Sequence, residues 1–239
     1  MKANKKDLSL IIPCYNEGDN LPLLLKKLLK IKSEFHEIIL VNNGSTDNTD
    51  LIIKELIKDN NSCIKILNIK KNIGYGHGIM SGVKIASGNT IAWTHADLQT
   101  DPKDVLNAYD LYIKNKNYHN CFLKGKRQGR NFFDNLFTLF MSIISSLAMN
   151  VKLSDINAQP KMFNRRFIKL IENSPDDFSL DLYVLVKAIN KKYTILEFPV
   201  NFGKRNFGSS KGGGSLVGKV KLTLRTLSYI KKLRGQFRN

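Results

Sequence analysis

Residues 8–17 read Leu8-Ser9-Leu10-Ile11-Ile12-Pro13-Cys14-Tyr15-Asn16-Glu17. The apolar run through Ile12 is short, lacks polar alternation and is stopped by Pro13, which predicts a strand buried on both faces. Leucines follow at 21, 24, 25, 28 and 29. That spacing predicts an amphipathic helix over residues 20–31. A buried strand, a polar turn and a helix open a β-α-β unit, and the chain repeats this pattern.

Glu37 to Val41 is the next strand, closed by the turn chemistry of Asn42-Asn43-Gly44-Ser45. Thr46 is expected to cap a helix running to about residue 59, with Asp47 in its first turn. Strands are predicted over residues 64–69, 90–94 and 121–124, with a short helix over 78–86. Asp101-Pro102 is expected to open another helix with Pro102 at its first position. Such alternation implies an α/β, doubly wound, mainly parallel sheet. Ligands of these sheets sit beyond the carboxyl ends of the strands. Those ends carry Pro13 to Glu17, Asn42 to Ser45, His95 to Gln99 and Gly125 to Arg127.

The second half is less regular. Apolar positions 133, 136, 137, 140, 143, 144 and 147 trace one face of a helix over residues 132–149, whose polar interruptions argue against a membrane span. A turn at 155–160, a strand and helix near 162–171, a helix over 180–190 and a strand over 194–198 follow. Residues 203–214 form a glycine- and lysine-rich loop, and 216–233 read as a basic amphipathic helix.

The 239 residues carry 38 Lys+Arg against 20 Asp+Glu, a net charge of +18, with 42% hydrophobic residues. That apolar fraction excludes a disordered chain. The charge points to a polyanionic partner: nucleic acid, an anionic membrane face or phosphorylated substrates. No RNA-binding aromatic signature and no helix-turn-helix spacing is present, which argues against nucleic acid. No acidic residue follows Glu197, so the excess is concentrated toward the C-terminal end. Cys14, Cys63 and Cys121 have no metal-ligand or redox spacing, and residues 1–7 are polar. A reducing, cytoplasmic setting is therefore expected.

Elimination narrows the chemistry. The cluster Gly74-Tyr75-Gly76-His77-Gly78 lacks the third glycine of a dinucleotide fingerprint and follows the wrong strand. No phosphate-loop lysine motif, nucleophile elbow or histidine metal cluster is present. The strand ends still offer Glu17, amide-rich turns, Asp97 with Gln99, and Lys/Arg groups. That set suits a nucleotide diphosphate and a divalent cation, which takes oxygen ligands and neutralises leaving-group charge.

Ile11-Ile12-Pro13-Cys14-Tyr15-Asn16-Glu17 resembles the opening strand of family 2 glycosyltransferases, (I/V)-P-x-(Y/F)-N-E. Val41 to Asp47 resembles their V-D-D-G-S-x-D, and Asn72, Gly74, Gly82, Ala86 and Gly88 match their N-x-G…G…A-x-G spacing. His95-Ala96-Asp97-Leu98-Gln99 stands at their D-A-D-L-Q. Glu197 to Val200 and Arg205 to Lys211 resemble the E-(V/I)-P-(V/I)…R-x-x-G-x-S-K ending of the dolichyl-phosphate-mannose-synthase-like branch. Six motifs in order, over residues 8–211, carry the resemblance.

The resemblance implies a GT-A fold and inverting transfer from a nucleotide-sugar donor, with a polyprenyl phosphate acceptor in the nearest branch. By matched position it puts Pro13, Tyr15, Glu17, Asn43 and Ser45 in the donor pocket. Asp97 and Gln99 face the diphosphate and, with His95, the metal, and Arg127 and Arg205 meet the phosphates of the donor. The metal is Mn²⁺ or Mg²⁺. Asp181 aligns with an acidic position that is the general base in other branches; a first-turn acid favouring the helix dipole is the other reading. Arg130, Asp155 and Gln159 fall where an acceptor cleft is expected, or serve the surface and a turn.

Both acids of V-D-D-G-S are Asn here, the first D-x-D acid is His95, and residues 155–161 depart from D-x-T-S-G-F-R. A glycan or other non-lipid acceptor is the alternative. Residues 1–211 are expected to form the catalytic domain and 212–239 a basic tail. The helices at 132–149 and 216–233 are expected to lie in the membrane interface, apolar face down, with Lys219, Lys221, Arg225, Lys231, Lys232 and Arg234 near anionic lipid.

Overall fold

The computed structural model describes residues 6–57, 63–203, 205, 223–224 and 226–234. Its strands are β1 (Leu8–Cys14), β2 (Glu37–Asn43), β3 (Ile64–Ile69), β4 (Thr90–Trp93), β5 (Cys121–Gln128), β6 (Lys161–Asn164) and β7 (Thr194–Asn201). They form one sheet in the order β3-β2-β1-β4-β6-β5-β7. The helices are α1 (Leu21–Ile31), α2 (Thr49–Ile57), α3 (Tyr75–Ile85), α4 (Lys103–Lys114), α5 (Phe132–Met149) and α6 (Leu180–Asn190).

The sheet is mainly parallel, as expected. β6 is the exception, pairing antiparallel with both β4 and β5. Because it runs backward, its first residue, Lys161, lies beside Trp93 at the carboxyl end of β4 and beside Lys124 in the middle of β5. Period-two alternation divides β1 between two layers. Ile11 packs with Ile39, Val41, Ile79, Val83 and α6. Leu10 and Ile12 pack with Leu24, Leu28, Leu40, Val105 and Tyr112 on the other face. A strand covered on both sides has no polar face to show, which explains the uninterrupted apolar run.

Several boundaries differ from the sequence reading. Pro13 stays in β1, opposite Val41, and β2, β5 and β7 each run past their expected ends. α2 starts at Thr49, where Asp47 Oδ1 accepts the backbone N–H of Thr49 at 3.0 Å. Thr46 instead joins the turns after β1 and β2, its N–H donating to Asn16 Oδ1 at 2.8 Å. Pro102 is the N-cap of α4, one residue before its first position. α3 begins at Tyr75, because Gly74 packs against the loop before α6; a Cβ there would lie 2.2 Å from Asp176 O.

α5 has the expected bounds, and Asn131 caps it by accepting the N–H of Asp134 at 2.8 Å. Its apolar face points away from the domain: Phe132, Phe133, Leu136, Leu139, Phe140, Ile143 and Leu147 are exposed. The buried side is polar and small, Ser142 and Ser145, with Ile144, Ala148 and Met149 partly covered. By length and hydropathy alone this helix reaches what a span needs, contrary to the reading of its polar interruptions. The tail is helical over 226–234, where Ile230 and Leu233 are buried in the α6 layer and Leu227 is exposed. Its apolar residues are thus divided between core and surface. Lys231, Lys232 and Arg234 are exposed, while Lys219, Lys221, Arg225 and residues 206–211 lie outside the described residues.

Candidate active site

The carboxyl ends of β1, β2, β4, β5 and β7 converge on one edge of the domain. After β4 the backbone turns through Leu98, a non-glycine residue at φ +57°. Non-glycine residues in this region are uncommon. This turn lets Asp97 Oδ1 accept the N–H of Gln99 at 3.1 Å. Asp97 is buried, and its Oδ2 takes Arg205 Nη2 at 2.9 Å. Arg205 Nε donates to Gln99 Oε1 at 3.1 Å, and Gln99 Nε2 donates to Gly203 O at 3.1 Å. Asp97 and Gln99 form one unit with Arg205, which lies more than a hundred residues later in the sequence.

A second group forms the floor. Asp181, in the first turn of α6, is buried and accepts Gln159 Nε2 at 3.1 and 3.2 Å, Trp93 Nε1 at 3.4 Å and Tyr75 Oη at 3.4 Å. Lys161 Nζ approaches it to 3.7 Å and donates to Ile156 O and Ala158 O at 2.7 Å each. Burial pulls the Lys161 ammonium down to about 8, partly opposed by Asp181. Burial and the charge of Asp181 together push the Tyr75 phenol well above its usual range. The His95 ring lies 5.9 Å from that of Tyr75, which stacks on Phe178 at 5.0 Å. Burial lowers the His95 pKa despite the nearby charges of Asp97 and Asp181, which favours a neutral imidazole.

A third group lines the β5 side. Arg127 donates its backbone N–H to Asp155 Oδ2 and its Nε to Asp155 Oδ1, both at 2.7 Å, and its Nη2 also meets Oδ1. Burial alone would raise the Asp155 carboxyl; the guanidinium outweighs it and holds the group below the usual carboxylate range. Arg127 and Arg130 both lie over the Phe202 ring, at 5.3 and 5.4 Å. Arg130 Nη1 also donates to Thr138 Oγ1 at 2.6 Å, tying this group to α5.

These three groups surround an edge suited to anionic phosphates, on a mainly parallel sheet with one reversed strand. The sequence pattern of glycosyl transferase family 2 matches residues 9–173. The chain belongs to that family. It is 24% identical over 209 residues to the undecaprenyl-phosphate 4-deoxy-4-formamido-L-arabinose transferase of Yersinia pestis (strain Pestoides F), covering 86% of this chain and 62% of that protein. The chain therefore spans about three-fifths of the length of the curated relatives it matches.

Two solved structures share the GT-A fold of this chain. Glucosyl-3-phosphoglycerate synthase from Mycobacterium tuberculosis, in complex with Mn²⁺, UDP and glucosyl-3-phosphoglycerate, superimposes with a TM-score of 0.68 at 14% identity, covering 94% of this chain and 80% of that one. The mannosyltransferase PcManGT from Pyrobaculum calidifontis, in complex with GDP-Man and Mn²⁺, gives 0.64 at 15%, covering 85% and 59%.

Several predicted site residues are engaged within the structure. Both ends of the Gln99 amide are engaged, Nε2 by Gly203 O and Oε1 by Arg205 Nε, which links the turn after β4 to that segment. Asn43 is buried, with Nδ2 donating to Gly74 O at 3.0 Å, while its Oδ1 is buried with no partner. One N–H of the Asn43 amide is thus used, and its carbonyl oxygen has no hydrogen-bond partner. Ser45 Oγ accepts the N–H of Asn16 at 3.1 Å and supports the turn. Glu17 accepts Asn20 Nδ2 at 2.7 Å, while Pro13 and Tyr15 are half-buried at the β1 end.

Three residues of the floor were missed as site residues. Trp93 reads as core and is core, yet its indole N–H reaches Asp181. Tyr75 reads as loop packing. Lys161 carries no role in the sequence reading, since it becomes a neighbour of Asp181 only through the reversal of β6. A lysine opening a strand of otherwise apolar character is the one signal available.

Proposed function

We propose that this glycosyltransferase moves a sugar from a nucleotide diphosphate to a polyprenyl phosphate at a membrane surface, with inversion at the anomeric carbon. The observation that carries the reading is the condition of Asp181. Its two oxygens already receive Gln159, Trp93 and Tyr75, with Lys161 beside them. A carboxylate so engaged is a poor base for a neutral hydroxyl, whereas a phosphate acceptor is already ionised and needs none. Positioning and charge neutralisation then supply the rate. The paired guanidinium groups of Arg127 and Arg130 over Phe202 suit an acceptor phosphate. The acceptor in the name of the Yersinia relative agrees with this reading.

A divalent cation fits at Asp97. Arg205 already stands on its Oδ2 as a positive charge, and His95 supplies a neutral imidazole nearby, a donor suited to Mn²⁺. No three acidic, histidine or cysteine side chains converge among the described residues, so the remaining ligands would be donor phosphate oxygens. The cation supplies Lewis-acid neutralisation of the departing diphosphate. Arg205 adds its own charge to the same leaving group, and Asn43, Ser45 and Glu17 border the nucleoside end.

The exposed apolar face of α5 supports a peripheral placement on the cytoplasmic leaflet, with the cationic excess of the chain drawn to anionic headgroups. The protein is to be incubated with UDP-, GDP- and CDP-sugars and undecaprenyl phosphate, with Mn²⁺ or Mg²⁺, and lipid-linked sugar measured. Asp97→Ala is expected to abolish the product. The absence of both transfer and donor hydrolysis across the panel sinks the reading; transfer to a glycan alone replaces the acceptor.

A further inference from the structure

The segment after β7 is fastened to the turn after β4 by four contacts. Gly203 N donates to Gln99 O at 2.8 Å, and Gln99 Nε2 returns a bond to Gly203 O at 3.1 Å. Arg205 adds Nε to Gln99 Oε1 at 3.1 Å and Nη2 to Asp97 Oδ2 at 2.9 Å. The Asp97 side chain is only 8% exposed, while that of Arg205 is 32% exposed. With Oδ1 held by the N–H of Gln99, the carboxylate presents one oxygen outward, and the guanidinium covers it. A buried carboxylate without a counter-charge is costly, and a cation on Oδ2 offsets that cost. A guanidinium and a divalent cation compete for the same lone pairs, and only the guanidinium is attached to a strap of chain.

We propose that Arg205 is the exchangeable counter-ion of Asp97. It neutralises the carboxylate in the resting protein, gives up Oδ2 to an arriving divalent cation, and carries its own charge to the donor diphosphate. Gln99 is the catch that holds Gly203 and Arg205 in the resting position. The exchange rests on the reading of Asp97 as the cation's ligand. It makes the cation and the nucleotide partners in binding: the cation releases the arginine that the diphosphate needs, and by linkage the nucleotide draws in the cation.

The test measures binding on the full chain, apart from turnover. Free Mn²⁺ is followed by electron paramagnetic resonance, first without nucleotide, then with UDP or GDP. Arg205→Ala is expected to bind Mn²⁺ alone about fivefold more tightly than wild type, the size of effect a partly exposed ion pair exerts. Gln99→Ala removes no charge and is also expected to bind Mn²⁺ more tightly, because the catch is gone; a metal-ligand role for Gln99 demands weaker binding. With saturating Mn²⁺, calorimetry should show UDP or GDP binding about tenfold more weakly to Arg205→Ala, since a charge-assisted phosphate contact is lost.

Asp97→Asn separates the two levels. Mn²⁺ binding by that variant equal to wild type, or none by wild type even with UDP or GDP, overturns the reading of Asp97 and the exchange with it. Mn²⁺ bound through Asp97, but no more tightly by Arg205→Ala, overturns the exchange alone. Tighter binding by Arg205→Ala with weaker binding by Gln99→Ala overturns the catch.

Discussion

Lys161 Nζ lies 3.7 Å from Asp181 Oδ1, and the two side chains are 0% and 4% exposed. The pair joins the reversed strand β6 to the start of α6 beneath the candidate site. A buried ion pair adds little net stability over well-packed apolar residues, but losing one partner strands the other charge. Lys161→Met should therefore lower stability by about 3–5 kcal/mol. The double variant Lys161→Met/Asp181→Asn should lose less than the two single changes summed. Urea unfolding of the three proteins measures both; additive losses would show that the two groups do not interact.

Arg127 is held by Asp155 through its backbone N–H and its guanidinium. If this pair aims the guanidinium at an acceptor phosphate, Arg127→Gln should raise the acceptor KM about tenfold, the worth of one charge-assisted hydrogen bond. Asp155→Asn should shift KM in the same direction by less. Steady-state transfer assays at fixed donor decide it; a change confined to the donor KM would move Arg127 to the donor side.

Glu197 gives a pH prediction. Partial burial alone would raise its pKa; hydrogen bonds from Ser154, Lys126 and Lys124 outweigh it and hold the carboxyl at about 2. The folded state thus binds this proton less readily than the unfolded chain does. The stabilisation is complete above the ordinary glutamate pKa, about 4.3, and is lost as pH falls from there toward 2. Glu197→Gln should be less stable than wild type at pH 7, and the gap should narrow below about pH 4. Thermal melts across that range test it, and a gap independent of pH would refute the assignment.

The exposed face of α5 bears on membrane contact. Replacing Leu139 and Ile143 by Asp puts two charges on that face, where neither side chain supports the core. The unfolding midpoint should change little, since surface substitutions stay within about 0.5 kcal/mol. Co-sedimentation with vesicles containing anionic phospholipid should fall several-fold relative to wild type. Undiminished sedimentation would assign the membrane contact to another surface.

Much of the fold was legible because its elements are locally periodic. β1 buries both faces and so reads as a continuous apolar run, and α5 and α6 have the predicted bounds. β6 was harder: its Lys161-Met162-Phe163-Asn164 is short and says nothing of direction. Of the candidate site, the residues of the 95–99 turn were legible by motif. Their pairing with Gly203 and Arg205 was not, because no local pattern records which distant strand end returns to them.

The amino-acid sequence by itself determined the alternation of strands and helices, and the acids, amides and arginines that stand at the carboxyl edge of the sheet where the candidate site lies. Spacing, burial periodicity and turn chemistry act over a few residues and can be read in order along the chain. Tertiary structure alone decided that β6 runs backward between β4 and β5, that Lys161 thereby becomes the partner of Asp181, and that Arg205 stands on Asp97. It also decided that α5 turns its serines inward and its leucines and phenylalanines out. These outcomes depend on which surfaces meet, and a buried charge or an apolar face finds its partner only when the whole sheet has closed around it.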